Sequence, residues 1–240
     1  MSFNIQHCRD YIMAKERGGD PIDFDLMADA IKSQEPDIVV LNEVRNLGPC
    51  PSYKNQTKIL AKKAGFQYYM FGEAIRFGGL LPYGNAILSK YPIGEFRVVR
   101  IPDPIVKDED VYYESRSVIK CRIDIGKYRI HVLGTHIGLA NSEKTNAVNT
   151  LVELIDDTDI PCVLMGDFNM TPEDDKLRPI HERMIDTARY FEEPKLTFPS
   201  DEPRIKIDYI FVSKDLKVVN ADVPDVIASD HKMVICDVEL

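Results

Sequence analysis

The chain has 240 residues, enough for one large layered domain or two small ones, and its 44% hydrophobic and 29% charged residues are those of a globular protein. Its net charge of −9, from 39 acids against 30 bases, argues against a broad basic face for gripping duplex phosphates and is compatible with an acid-lined metal site. No apolar run reaches bilayer-spanning length, no signal peptide is visible at Met1–Ile5, and five scattered cysteines without a CxxC spacing point to reduced thiols in the cytoplasm. A chain whose signal had already been removed would read the same way.

Phe3–Cys8 alternates apolar and polar residues, the period of a half-buried strand, with Asn4, Gln6 and Cys8 on one face. The segment to Pro21 reads as a polar loop punctuated by Gly18-Gly19-Asp20-Pro21. A helix is expected after Asp23 as N-cap, with Leu26, Met27, Ala30 and Ile31 as its apolar stripe, ending before Pro36. Ile38–Glu43 reads as a buried strand running into polar residues. A helix from about Asn55 to Ala64 is stopped by Gly65. Phe66–Phe71 reads as a strand, Arg76–Pro82 as a glycine-rich loop, and Tyr83–Ser89 as a strand halted by Pro92.

The acidic stretch Asp103–Glu114 is expected to be an exposed loop. Two long strands, Ser117–Ile125 and Tyr128–His136, flank the hairpin signal Gly126-Lys127. Asn141–Asp157 has helical periodicity. Cys162–Gly166 is a buried strand whose carboxyl end delivers Asp167 and Asn169, which face the same way if the chain is extended. Thr171–Pro203 holds five prolines and short helical turns at best. Lys206–Val212 is a strand, Ser229-Asp230-His231 a polar turn, and Met233–Val238 a closing strand. No repeat or linker interrupts the series, so residues 1–240 read as one domain.

Polar residues thus recur at strand ends: Asn4, Glu43, His136, Asp167, Asn169, Asp208, Asp230 and His231. Singly, each has an ordinary explanation as a turn residue, an exposed acid or a satisfied histidine. Asp208 stands apart, because an acid inside an apolar strand must be hydrogen-bonded or ion-paired, and Lys206 could be its partner.

In order and wording the series resembles the endonuclease/exonuclease/phosphatase superfamily, whose fold is that of deoxyribonuclease I. The matching words are Asn4 in SFNIQH, Glu43 in LNEV, Asn85 in YGNAILSKYP, Arg116 in ESRSV, His136 in GTHIG, then GDFN, KIDYIF and SDH. The resemblance implies a four-layer α/β/β/α sandwich: two mostly antiparallel sheets face to face, with helices outside.

It also implies metal-dependent cleavage of a phosphoester, most simply a phosphodiester. Glu43 and Asn4 would hold the metal from one side and Asp230 from the other. Hard oxygen ligands suit Mg²⁺, with Mn²⁺ as a substitute. Asp167 would activate water, Asn169 would donate to phosphate or nucleophile, and His231, oriented by Asp208, would donate to a phosphoryl oxygen. His136 would be a second phosphate or leaving-group contact, with Asn85 orienting it and Arg116 contacting phosphate. Gln6 departs from the pattern where apurinic-site nucleases carry an acid, as does Asn42 where many nucleases have Gln, and the chain holds no Trp.

A small or flexible phosphate ester is the favoured substrate, given the acidic balance, and a monomer the expected state. A nuclease is the alternative reading, and an inactive binding protein a third, which the intact polar set disfavours. Specificity would lie in the loops Arg9–Pro21, 47–53, Arg76–Pro82, Pro102–Glu114 and Pro172–Pro203.

Overall fold

The computed structural model describes residues 1–50 and 52–240. Successive side chains of a strand face opposite ways, and β2 (Ile38–Arg45) shows what this does to the core: Val39 and Leu41 pack to one side, Val40 to the other. β2 pairs in parallel with β1 (Ser2–Asn4) and antiparallel with β4 (Leu81–Ser89), which pairs with β3 (Tyr68–Phe77), giving a sheet of order β1-β2-β4-β3.

The second sheet is built from β5 (Ile93–Arg100), β6 (Ser117–Ile125), β7 (Tyr128–His136), β8 (Cys162–Asp167), β9 (Met184–Asp186) and β10 (Asp208–Ser213). Its order is β5-β6-β7-β8-β10-β9, antiparallel except for the parallel pair β7–β8. β11 (Lys217–Asp222) and β12 (Ile235–Glu239) form a two-stranded ribbon, and a Ser2–Val234 bridge ties the chain just before β12 to the first sheet.

Between the sheets lie Val40, Ile87, Ile119, Val132, Val163, Met165 and Ile210. The backbones come close there: a Cβ on Gly134 would sit 2.7 Å from Val40 Cγ1 and 2.9 Å from Ile119 Cγ1. Outside the first sheet, α2 (Phe24–Lys32) and α3 (Gln56–Ala64) bury Met27, Ile31 and Leu60 against Phe3, Leu41 and Leu88. Outside the second, α4 (Asn141–Asp156) and α5 (Arg178–Arg183) bury Leu151, Ile155 and Ile180 against Leu133, Leu164 and Phe211. The product is the α/β/β/α sandwich. Among the described residues no helix is long and apolar enough to cross a membrane.

Local chemistry sets the helix ends. Asp23 accepts from Asp25 N and Leu26 N to start α2, Asn55 accepts from Lys58 N to start α3, and Gly65, at φ 84°, ends α3 in the left-handed region.

Several elements differ from the sequence reading. The alternation of Phe3–Cys8 stops at Asn4, and Gln6, His7 and Cys8 turn through φ values of 41°, 49° and 64°. α1 (Tyr11–Arg17) forms where a loop is expected; Asp10 caps it, but only Ala14 is buried, so no apolar stripe marks it. β5 and β11 are strands with exposed, mixed-polarity faces that alternation does not reveal. β3 and β4 extend into the glycine-rich segment and leave only its tip as a turn. β12 pairs with β11 instead of closing a main sheet, and the loop 47–53 contains Pro51, which lies outside the described residues.

Candidate active site

The site forms where strands from both sheets end at the same rim of the apolar seam. Val163 and Met165 of β8 face the seam, so Asp167 does too; Ile210 and Val212 of β10 do the same for Asp208. Asp167 is the register partner of Asp208 on one side and of His136 on the other. Glu43 has the wrong parity, since Leu41 faces outward, and reaches the site through an irregularity. The β2–β4 register shifts between Leu41 and Val44, and Glu43 takes φ 60°. Non-glycine residues at positive φ are uncommon, and Gln6, His7, Cys8, Glu43 and Asn169 all belong to the segments that carry the site.

Asp167 is enclosed by donors. Its Oδ2 accepts from Asn4 Nδ2 at 3.0 Å, across the seam, and its Oδ1 from Asn169 N at 2.9 Å. His136 Nε2 lies 3.4 Å and His231 Nε2 3.7 Å from Oδ2. Burial raises its carboxyl to about 7, with His231 pulling it down and Asp208 pushing it further up. His231 Nδ1 lies 2.9 Å from Asp208 Oδ2. Burial alone would lower this imidazole, but Asp208 and then Asp167 outweigh it and raise it to about 10, so it is a cation at neutral pH. His136 goes the other way: burial, Arg116 and His231 hold it well below 6.5, as a neutral ring.

Beside this lies a pair of carboxylates. Glu43 Oε1 accepts from Asn4 Nδ2 at 3.0 Å and Oε2 from Tyr83 Oη at 2.8 Å; Asp230 Oδ2 accepts from Gln6 Nε2 at 3.0 Å and Oδ1 from Ser229 Oγ at 3.1 Å. Each oxygen therefore has one donor and a lone pair to spare. Asp230 is raised by burial and, against the pull of His231, by the charge of Glu43. Two carboxylates close enough for the charge of Glu43 to raise Asp230, each with lone pairs free, fit a divalent metal with oxygen ligands. Asp167, Asp208 and His231 also bring ligand-type atoms within 4.8 Å of one another. A protonated His231 bonded to Asp208 offers no lone pair, so that trio fits proton handling better than metal binding.

The remaining sequence-derived residues are placed as follows. Asn4 spends both amide hydrogens on Glu43 and Asp167, while its Oδ1 accepts from Gln6 N at 3.1 Å, so it bridges the two carboxylates. Asn85 does not reach His136; it accepts from Asn42 Nδ2 at 2.8 Å and donates to Ser117 O at 3.1 Å. Arg116 lies behind the site, 2.9 Å from both His136 Nδ1 and Glu114 Oε1. Lys206 pairs with Asp186 at 3.4 Å and not with Asp208.

Two residues escaped the sequence reading. Tyr83 holds Glu43, and its alternation with Asn85 and Ile87 in β4 was the available signal. Asn42, fully buried, accepts from Asp167 N at 3.1 Å and donates to Thr135 O at 2.8 Å. Like Asp208, it is a polar side chain inside an apolar strand and must be hydrogen-bonded there. A cavity of about 450 Å³ is lined by residues that include Thr171, Pro172, Phe191, Leu196 and Lys206, and by none of the candidate site residues above.

The chain belongs to the Endonuclease/Exonuclease/phosphatase family, whose model matches residues 1–231. Members of this family are hydrolases acting on phosphoester bonds and generally depend on a divalent metal. The uncharacterized protein YbhP of Escherichia coli K12 is 29% identical over 144 residues, covering 54% of this chain and 51% of YbhP, so the match spans about half the length of that relative.

Among solved structures, an endonuclease/exonuclease/phosphatase from Beutenbergia cavernae superposes with a TM-score of 0.77 at 24% identity, over 100% of this chain and 70% of that one. A mannosyl-6-phosphatase from Bacteroides thetaiotaomicron gives 0.75 at 16% identity, over 100% and 98%. At these identities the likeness is one of fold.

Proposed function

We propose that this protein hydrolyses a phosphodiester of a small or flexible molecule, with Asp167 as the base that activates water. The observation that carries this reading is the state of Asp167: buried, raised to about 7, and set between amide and imidazole donors beside the Glu43–Asp230 pair. A base works best when its pKa lies near the working pH.

Mg²⁺, or Mn²⁺ in its place, bound through Glu43 and Asp230 would neutralise charge on the phosphoryl and leaving oxygens. Asn4 keeps Glu43 and Asp167 in fixed relation. Asp167 takes a proton from the attacking water, and Asn169 has a second amide hydrogen for the phosphate. His231, protonated and aimed by Asp208, donates from Nε2 to a phosphoryl oxygen as its charge grows. The net charge of −9 supports a compact ester over a long polyanion. Free cysteines support a reducing, cytoplasmic location.

The test is release of p-nitrophenol from bis-p-nitrophenyl phosphate with Mg²⁺ or Mn²⁺, beside a panel of nucleotides, sugar phosphates and phospholipid headgroups. Metal-dependent turnover that chelation abolishes is the expected result. No turnover on any of them would refute the reading, and DNA or RNA cleavage that weakens steeply with salt would replace the substrate class.

A further inference from the structure

We infer that Arg116 is a positioning residue that fixes the tautomer of His136, placing the proton on Nε2, where it faces Asp167. A guanidinium has only hydrogens to offer, so at 2.9 Å from Arg116 Nη1 the Nδ1 of His136 has to be the acceptor. A neutral imidazole with a bare Nδ1 carries its hydrogen on Nε2.

That nitrogen lies 3.4 Å from Asp167 Oδ2, an acceptor, and 3.3 Å from Asn169 Nδ2. The second contact is to an amide nitrogen, which cannot accept a hydrogen and whose orientation is set by its bond to Ile137 O at 2.9 Å. Two donors face each other there, and the hydrogen of His136 goes to the carboxylate. In the opposite tautomer a lone pair would point at Asp167 and a hydrogen at Arg116, both repulsive.

The arrangement is held from behind. Arg116, its side chain 12% exposed, is paired with the buried Glu114, whose backbone N donates to Glu143 Oε1 at 3.1 Å. Glu143 also accepts from Ala140 N at the start of α4. The end of the acidic loop 103–114 is thereby connected through Glu114, Arg116 and His136 to Asp167. Both contacts of Arg116 run through Nη1, one to His136 and one to Glu114, and this holding of His136 is a task beside the phosphate contact that the family resemblance implies.

The inference rests on the hydrolytic reading for its importance, but its first readout is a spectrum of the resting protein. Long-range ¹H–¹⁵N correlation spectra of the full chain, with the His136 signals assigned by their loss in His136→Gln, should show a pyrrole-type Nε2 and a pyridine-type Nδ1. Arg116→Met should redistribute the tautomer and lower kcat on bis-p-nitrophenyl phosphate by about tenfold or more with little change in KM. Arg116→Lys, which keeps one donor at the position, should retain the wild-type pattern. A hydrogen on Nδ1 or on both nitrogens in the wild type, or an unchanged tautomer in a folded Arg116→Met variant, overturns the inference. If Arg116→Met fails to fold, the wild-type spectrum decides alone. An Nε2–H tautomer in a protein without hydrolytic activity would leave the inference standing and remove the proposed function.

Discussion

His231 Nδ1 lies 2.9 Å from Asp208 Oδ2, and both side chains are buried beneath the rim where the two sheets end. The pair gives the buried acid in β10 its partner and gives the imidazole its charge. Replacing Asp208 with Asn removes that charge while keeping the shape. The expected result is a fall in kcat of about 10²-fold or more with KM little changed, by analogy with other carboxylate–imidazole pairs. Steady-state kinetics check it; an unaffected kcat would mean that His231 does not act as a charged donor.

The pH–rate profile follows from the same groups. Asp167 must be ionised to take a proton, so kcat/KM should rise with pH through the titration of this carboxyl, about 7 in the metal-free site and lower once a cation is bound nearby. His231 must stay protonated, so activity should fall as pH passes about 10. The optimum is alkaline. In Asp208→Asn the alkaline limb should move down, because the largest charge raising His231 is gone.

Tyr83→Phe tests the metal site without touching its ligands. The Tyr83 hydroxyl orients Glu43 through Oε2, and a lost outer contact of this kind weakens metal binding by about tenfold. Calorimetric titration of chelator-treated protein with Mn²⁺ measures it. In the wild type, added metal should also raise the melting temperature, since it binds only the folded chain.

Gly134→Ala tests the seam. The new Cβ would press on Val40 and Ile119 from the facing sheet and its own neighbour, contacts of 2.7 and 2.9 Å that require both to shift. Overpacking of this kind costs about 1–3 kcal/mol, readable by urea unfolding.

Much of this site is legible in the chain because strand alternation does two tasks at once. The periodicity that buries Val163 and Met165 also points Asp167 inward, and the same holds for Ile210 and Asp208. Long strands such as β6 and β7, whose faces are both covered, and the capped helices α2 and α3 appear in the sequence at nearly their true bounds.

What stayed hidden depends on departures from regularity or on long-range pairing. Glu43 is marked by its LNEV motif, but the bulge that turns it into the site is not, and Gln6 meets Asp230 only because three residues in a row adopt positive φ. The contact of Arg116 with His136, 20 positions on, joins two strands and has no signal in the sequence. β5 and β11 lack an apolar face strong enough to mark them.

The most direct measurement is the turnover of Asp167→Asn on bis-p-nitrophenyl phosphate at saturating Mg²⁺, with folding and Mn²⁺ affinity measured on the same sample. The expected result is an intact fold, retained metal binding and a kcat lowered on the order of 10³-fold, the scale of a lost general base. A folded, metal-binding Asp167→Asn protein that hydrolyses the ester at the wild-type rate would contradict it.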